Sequence, residues 1–280
     1  MRALLPTLLI ICALLDTTTA YNILGFFVIP VRSHYVFLQP LMTELAKRNH
    51  TLTLYTVFPF ETQNLPNFST IDVKPCFPVP LQGHFSISKF LEWSTLQILI
   101  MMNNMLIPSY ETISNCSQIM ELVQSNVTYD AFITDYVFPE WFTLFANKFN
   151  VPLINVFPNV LFPYVAGLLG APVNPSYTPY ATSIGTQRMN FYQRLVSFSS
   201  YVVVKAAKGV YLKAPTDDLV RRVFGPEFPS AEDVVRNTSL TLMNSDLAYY
   251  QSTFPLVPSI VGVGGLHIRN ASSIPQVSSF

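Results

Sequence analysis

Two residues at the ends of apolar runs have the types and positions to move a proton. His34 follows the run NILGFFVIPV at 22–31 and begins the segment HYVFLQPLMTELAKRN, while Asp135 closes the run DAFIT at 130–134. A carboxylate bonded to one ring nitrogen of an imidazole fixes its tautomer. It also stabilises the imidazolium formed when the other nitrogen takes a proton. That is general-base chemistry. The competing reading makes His34 an ordinary helix-start residue and Asp135 a helix cap, and the two differ in whether the fold brings both to one edge.

No second constellation competes with this pair. His34, His50, His84 and His267 show no metal-ligand spacing among themselves or with cysteine, so a metal site has no support. The run Gly262-Val263-Gly264-Gly265 lacks the following helix and the third glycine of a dinucleotide loop. A secreted α/β hydrolase would need a nucleophile elbow, and none stands out; nor does a phosphate loop or a carboxylate pair for glycoside hydrolysis. Asp217 and Asp218 read as caps of the helix they begin. Phe90, Trp93, Met101, Met102 and Met105 could line a pliable apolar pocket, although the same helical spacing also serves a plain core.

The elements that must position His34 and Asp135 follow from periodicity. The unbroken apolar run at 22–31 predicts a central parallel strand. A helix capped by Ser33 and ending at Lys47 and Arg48 should follow, kinked or broken at Pro40. The alternating run TLTLYTVF at 51–58 completes a βαβ unit. Beyond it the pattern predicts a short strand at 69–75, two helices over 86–124 separated by Pro108, a strand at 130–134 and a helix at 140–148. A strand at 152–157, a turn-rich stretch at 158–185 and a long helix at 187–213 come next. Thr216 then caps a helix at 217–223, and strands at 240–244 and 260–263 close the series. The expected fold is α/β, a Rossmann-like parallel sheet with flanking helices. In such sheets ligands bind beyond the carboxyl ends of the strands, where His34 and Asp135 both fall.

Composition bounds the partners. Half of the 280 residues are hydrophobic and 11% are charged, with 16 basic and 16 acidic residues and no basic run. A nucleic-acid surface therefore has no electrostatic support. Arg2, the apolar run at 3–15 and Ala20 read as a signal peptide over residues 1–20. Gln97, Asn103 and Asn104 interrupt the apolar run at 95–108, which favours a buried helix over a membrane span. With no stop-transfer segment, the expected product is unanchored, in the lumen of the secretory pathway or secreted. Six N-x-S/T sequons, at Asn49, Asn67, Asn115, Asn126, Asn237 and Asn270, agree with that compartment. Cys76 and Cys116 could pair in an oxidising lumen, but two cysteines are not a disulfide framework, and the balance leans towards unpaired thiols.

Four stretches together resemble the animal, most of all insect-type, membrane-bound UDP-glycosyltransferases. They are ILGFFVIPVRSHYVFLQPLMTELAKRNHTLTL at 23–54, YDAFITDYVFPEWFTLFANKFNVPLINV at 129–156, NPSYTPYATSIGTQRMNFYQRL at 174–195 and NTSLTLMNSDLAYYQSTFPLVPSIVGVGGLHI at 237–268. The resemblance implies the amino-terminal, acceptor-binding domain of a two-domain GT-B fold, spanning 21–265, with 266–280 as a shortened interdomain linker. It also implies that His34, in Ser33-His34-Tyr35, is the general base and Asp135, in Thr134-Asp135-Tyr136, its support. Together they serve inverting transfer from a UDP-sugar to a small lipophilic acceptor. The segment around Phe90, Trp93, Met101 and Met105 would shape the acceptor pocket.

The family's second domain holds the sugar nucleotide and precedes a transmembrane helix, and neither pattern occurs in these 280 residues. The expectation is an acceptor half, inactive alone, with no cofactor beyond a UDP-sugar co-substrate reached only through that domain. The endoplasmic reticulum lumen is the expected location. The alternative is a non-catalytic lumenal binder of lipophiles, or a partner that pairs with full-length relatives.

Overall fold

The computed structural model describes residues 19–59, 65–76, 97, 112, 114–135, 140–159, 161–178, 189–245 and 255–268. The signal peptide, Phe90, Trp93, Met101, Met105, Asn270 and the end of the expected linker lie outside them, apart from residues 19 and 20 and the linker's first three.

Seven parallel strands form one sheet in the order β3-β2-β1-β4-β5-β6-β7. They are β1 Asn22–Phe27, β2 Thr51–Thr56, β3 Phe68–Asp72, β4 Ala131–Asp135, β5 Leu153–Phe157, β6 Leu240–Met243 and β7 Ile260–Gly262. The order grows outward from β1 in one direction and from β4 in the other. The switch point therefore lies between β1 and β4, which pair in parallel from Ile23↔Ala131 to Phe26↔Thr134.

β1 is buried on both faces, which is why its sequence shows no polar alternation. Leu24 and Phe26 join the core with Phe132, Phe145 and Leu219, whereas Ile23 and Phe27 face a second core with Phe37, Leu38 and Met42. Gly25 lies on the second face. A Cβ there would sit 2.7 Å from Met42 Cε and 2.9 Å from Leu54 Cδ1, so the missing side chain lets helix α1, Arg32–Lys47, settle close onto the sheet.

Helix α1 corrects one expectation and narrows another. Val31, in extended geometry, is the N-cap and makes no side-chain cap bond, so Ser33 lies within the first turn. The helix also runs through Pro40 without a break. The carbonyl left without an i+4 donor belongs to Val36, which is exposed, so water can satisfy it.

Helix α2, Ser117–Gln124, precedes β4, and a 3₁₀ turn at Glu140–Thr143 leads into α3, Leu144–Phe149. The stretch at 158–185 contains a short helix absent from the periodicity reading, α4 at Pro163–Leu168, with proline in its first turn. The long helical segment is α5, Phe191–Ala207, begun by a capping box between Asn190 and Gln193. It does not stop before Pro215: a π-helical turn at Lys208–Lys213 carries it into α6, Ala214–Phe224. Thr216 is buried inside α6 rather than capping it. The widened turn comes just where the proline ring would crowd a regular helix and removes a donor. A further short helix, α7 at Ala231–Arg236, is capped by Ser230.

Cys76 and Cys116 form a disulfide, with Cα atoms 5.3 Å apart, against the leaning drawn from their number. The 3₁₀ turn Lys74–Cys76 after β3 brings one thiol to the residue that precedes α2.

Candidate functional site

The fold brings His34 and Asp135 together at the switch point. Asp135 is the last residue of β4, and His34 is the third residue of α1, immediately beyond β1. Thr134 Oγ1 donates to the Phe26 carbonyl at 3.0 Å, which ties the carboxyl ends of the two strands at that level. His34 Nδ1 lies 2.8 Å from Asp135 Oδ2. The carboxylate can only accept, so Nδ1 carries the hydrogen and Nε2 is left as the basic nitrogen.

The two side chains are 11% and 2% exposed, so one edge of the ring is open while the carboxylate is enclosed. Oδ1 of Asp135 is buried with no hydrogen-bond partner among the described residues. Burial pushes the Asp135 carboxyl above the ordinary carboxylate range, and the charge and hydrogen bond of His34 oppose that rise. Among the described residues, His34 is the neutralising contact of this carboxylate. The arrangement can fix an imidazole, accept a proton at Nε2 and stabilise the resulting cation.

A cavity of about 490 Å³ opens on the other flank of α1. Arg32, Tyr35 and Gln39, three and seven residues apart on the helix, line it together with Phe58, Asp72 and Lys74. Its walls mix aromatic and charged groups, and sequence reading missed it because it needs the ends of β2 and β3 beside α1. The position of Arg32 and Tyr35 either side of His34 was the available signal.

A second buried cluster also escaped the sequence. Lys208, at the start of the π turn, pairs with Glu140 Oε1, and both are almost enclosed. The Lys208 ammonium stands 3.4 Å from the centroid of the Tyr164 ring, and the Tyr164 hydroxyl donates to Glu140 Oε1 at 3.4 Å. Burial pushes the Lys208 amine down, opposed by Glu140, and pushes the Tyr164 phenol up. Glu140 follows Asp135 by five residues, so this cluster fastens the chain just past the pair.

His84 lies outside the described residues, and the two remaining histidines do different work. His50 accepts from the Tyr21 backbone N–H at 3.2 Å, and His267 lies against the Phe37 ring. No group of three potential metal ligands gathers among the described residues. Asp217 and Asp218 pair with Lys213 and Arg222 along the helix rather than capping it. Of the sequons, Asn49, Asn115, Asn126 and Asn237 are exposed, whereas Asn67 is half-buried.

A family model described as UDP-glucoronosyl and UDP-glucosyl transferase matches residues 33–279. Among curated relatives, the UDP-glycosyltransferase UGT5 of Dactylopius coccus is 31% identical over 278 residues, covering 96% of this chain and 51% of its own length. The UDP-glucuronosyltransferase 2B7 of Homo sapiens is 22% identical over 264 residues, covering 87% of this chain and 49% of its own. The chain spans about half the length of the curated relatives it matches. A UDP-glucosyltransferase from Polygonum tinctorium aligns in structure with a TM-score of 0.45 and 15% identity, over 91% of this chain and 55% of that one. CalG4, the calicheamicin glycosyltransferase, aligns with a TM-score of 0.43 and 15% identity, over 88% of this chain and 53% of that one.

Proposed function

Because the chain belongs to the UDP-glucoronosyl and UDP-glucosyl transferase family, we propose that it supplies the acceptor-activating half of a transferase that moves a hexosyl group from a UDP-sugar to a hydroxyl of a small lipophilic molecule. His34 is the general base of that reaction. Its Nε2 takes the hydroxyl proton as the acceptor oxygen attacks the anomeric carbon. The bond from that carbon to the UDP oxygen breaks as the new bond forms, with inversion, and UDP leaves with the electron pair. Asp135 holds the ring and bears the opposite charge to the imidazolium. The observation that carries this reading is the 2.8 Å contact between Nδ1 and Oδ2 at the sheet's switch point.

In this reading residues 21–265 are one acceptor domain, and Phe90, Trp93, Met101 and Met105 line its apolar pocket. The UDP-sugar is held by a second domain like that of the longer relatives, with no other cofactor. The protein works in the lumen of the endoplasmic reticulum, with a cleaved leader and glycans on its exposed sequons.

The test measures binding and turnover separately. The purified chain should bind phenolic acceptors in calorimetry without consuming UDP-glucose or UDP-glucuronic acid. Fused to the carboxyl-terminal half of an insect relative, it should transfer sugar, and His34→Ala should lower kcat/KM by roughly 10²–10⁴-fold. Turnover by the fusion that is indifferent to His34 would sink the assignment. Absence of acceptor binding by a folded chain would sink the acceptor half.

A further inference from the structure

The proton transfer assigned to His34 makes no use of the cavity beside α1. Arg32, Tyr35 and Gln39 share the flank of the helix that lines it, and His34 stands roughly 100–160° round the helix from these three. The sheet sets the two places apart in the same sense. Asp135 ends β4 on one side of β1, whereas the cavity lies at the ends of β2 and β3 on the other.

The wall opposite α1 is held by the backbone. Thr56 and Asp72 are paired at the ends of β2 and β3, and the Val73 N–H donates to the Thr56 carbonyl at 3.0 Å. The Phe58 N–H donates to Thr56 Oγ1 at 3.1 Å, which fixes the turn out of β2. Just past Lys74, the disulfide from Cys76 to Cys116 fastens the chain again. Val57 is buried at this wall, and the Tyr35 and Phe58 rings stand with centroids 5.6 Å apart. Helix and loop thus present one aromatic surface that stands ready before any ligand arrives.

Charge decides what such a surface takes. Arg32, Lys74 and Asp72 line the cavity, and all three are exposed. Neither Arg32 nor Lys74 has an ion pair among the described residues. Asp72 Oδ1 already accepts from the Lys74 backbone N–H at 2.8 Å. A cationic ligand would meet two like charges for one opposite charge. A bare inorganic anion would leave the aromatic surface unused, and about 490 Å³ is room for an organic molecule. A guanidinium fork matches a carboxylate or phosphate through two parallel bonds, and an ammonium adds a second point of attraction. The geometry points to a small-molecule site at the ends of β2 and β3 that takes an aromatic organic anion. Its carboxylate or phosphate lies between Arg32 and Lys74, and its rings lie against Tyr35 and Phe58. This site does not rest on the transferase reading.

Calorimetric titration of the purified chain tests this without any turnover. 2-Naphthoate and 2-naphthyl phosphate should both bind, and the tighter of the two names the anion the site prefers. The neutral 2-naphthylmethanol should bind at least roughly tenfold more weakly than 2-naphthoate. Arg32→Gln and Lys74→Gln should each weaken 2-naphthoate by roughly tenfold. Asp72→Asn keeps an oxygen for the Lys74 N–H but removes the opposing charge, so it should tighten binding severalfold. That gain cannot come from a misfolded chain, so it holds the test open if either cation variant fails to fold. Absence of binding by both anions overturns the proposal, as does equal affinity for 2-naphthoate and 2-naphthylmethanol. Unchanged affinity in both cation variants overturns it too, and so does weaker binding by a folded Asp72→Asn.

Discussion

His34 and Asp135 are 101 residues apart in sequence and meet through Nδ1 and Oδ2 at 2.8 Å. One stands on the helix after β1 and the other ends β4, the two strands at which the sheet's order reverses. Asp135→Asn therefore has a defined consequence. An amide can accept from Nδ1–H but can equally donate to a bare Nδ1, so the ring loses its fixed tautomer. Side-chain ¹⁵N spectra should show Nδ1–H in the parent and a tautomer mixture in the variant. In an active fusion kcat should drop by roughly 10²-fold or more with KM little changed. A single unaltered tautomer in the variant would contradict the arrangement.

The pH dependence follows from the burial of the same carboxyl. Its folded pKa is raised by desolvation, with His34 opposing. Between the unfolded value of 3.8 and the folded one, the native state holds a proton that the unfolded state has released. Stability contributed by the protonated carboxyl is thus fully present below the unfolded value and lost as pH rises through the folded one. Urea titrations from acid to neutral pH should show the parent losing stability relative to Asp135→Asn across that window. A constant difference between the two would mean the carboxyl is not shifted upward.

The disulfide between Cys76 and Cys116 closes a loop of 40 residues. Loop-closure entropy for that length corresponds to about 4 kcal/mol of stabilisation. Cys76→Ser combined with Cys116→Ser should lower the unfolding free energy by roughly 2–4 kcal/mol. A reductant should do the same to the parent and nothing to the double variant. Equal stability with and without reductant would show that the thiols are unpaired in solution.

Most of the sheet was legible because buried parallel strands leave runs without polar alternation, as in β1, and α1 was legible because its apolar positions recur at helical spacing. Its start was not, since Ser33 has the type of a cap while the backbone turns at Val31. Pro215 looked like a terminator because a local rule cannot see that a π turn will absorb it. The short helices α4 and α7 have six residues each, too few to show a period. His34 and Asp135 could be placed at strand ends but their contact could not, because strand order is a property of the whole chain. The Lys208–Glu140 pair was invisible for the same reason, and the Cys76–Cys116 pairing could be weighed but not decided: each joins elements with no sequence relation.

The Lys208–Glu140 pair should behave as a unit. Lys208→Met leaves a nearly enclosed carboxylate without its cation and should cost about 3–5 kcal/mol, whereas replacing both residues by methionine should recover most of that loss. A double-mutant cycle by urea denaturation measures the difference directly. Additive losses would show that the two side chains do not interact in solution.

Asn67 tests whether a sequon can be read without the fold. Its Nδ2 donates to the carbonyls of Ala46 at 2.7 Å and His50 at 2.6 Å, fastening the end of α1 to the approach of β2. A glycan would attach to that same nitrogen and leave it a single hydrogen, so one carbonyl would lose its donor. Asn49, Asn115, Asn126 and Asn237 are exposed and carry no such demand. Glycopeptide mapping of the protein expressed in insect cells should therefore find Asn67 unmodified while exposed sequons carry glycan. Asn67→Ala should destabilise the fold by about 1–3 kcal/mol, the range for stranding a buried carbonyl, and Asn126→Ala, at an exposed sequon, should not. Full glycan occupancy at Asn67 in a folded, secreted product would refute the clamp.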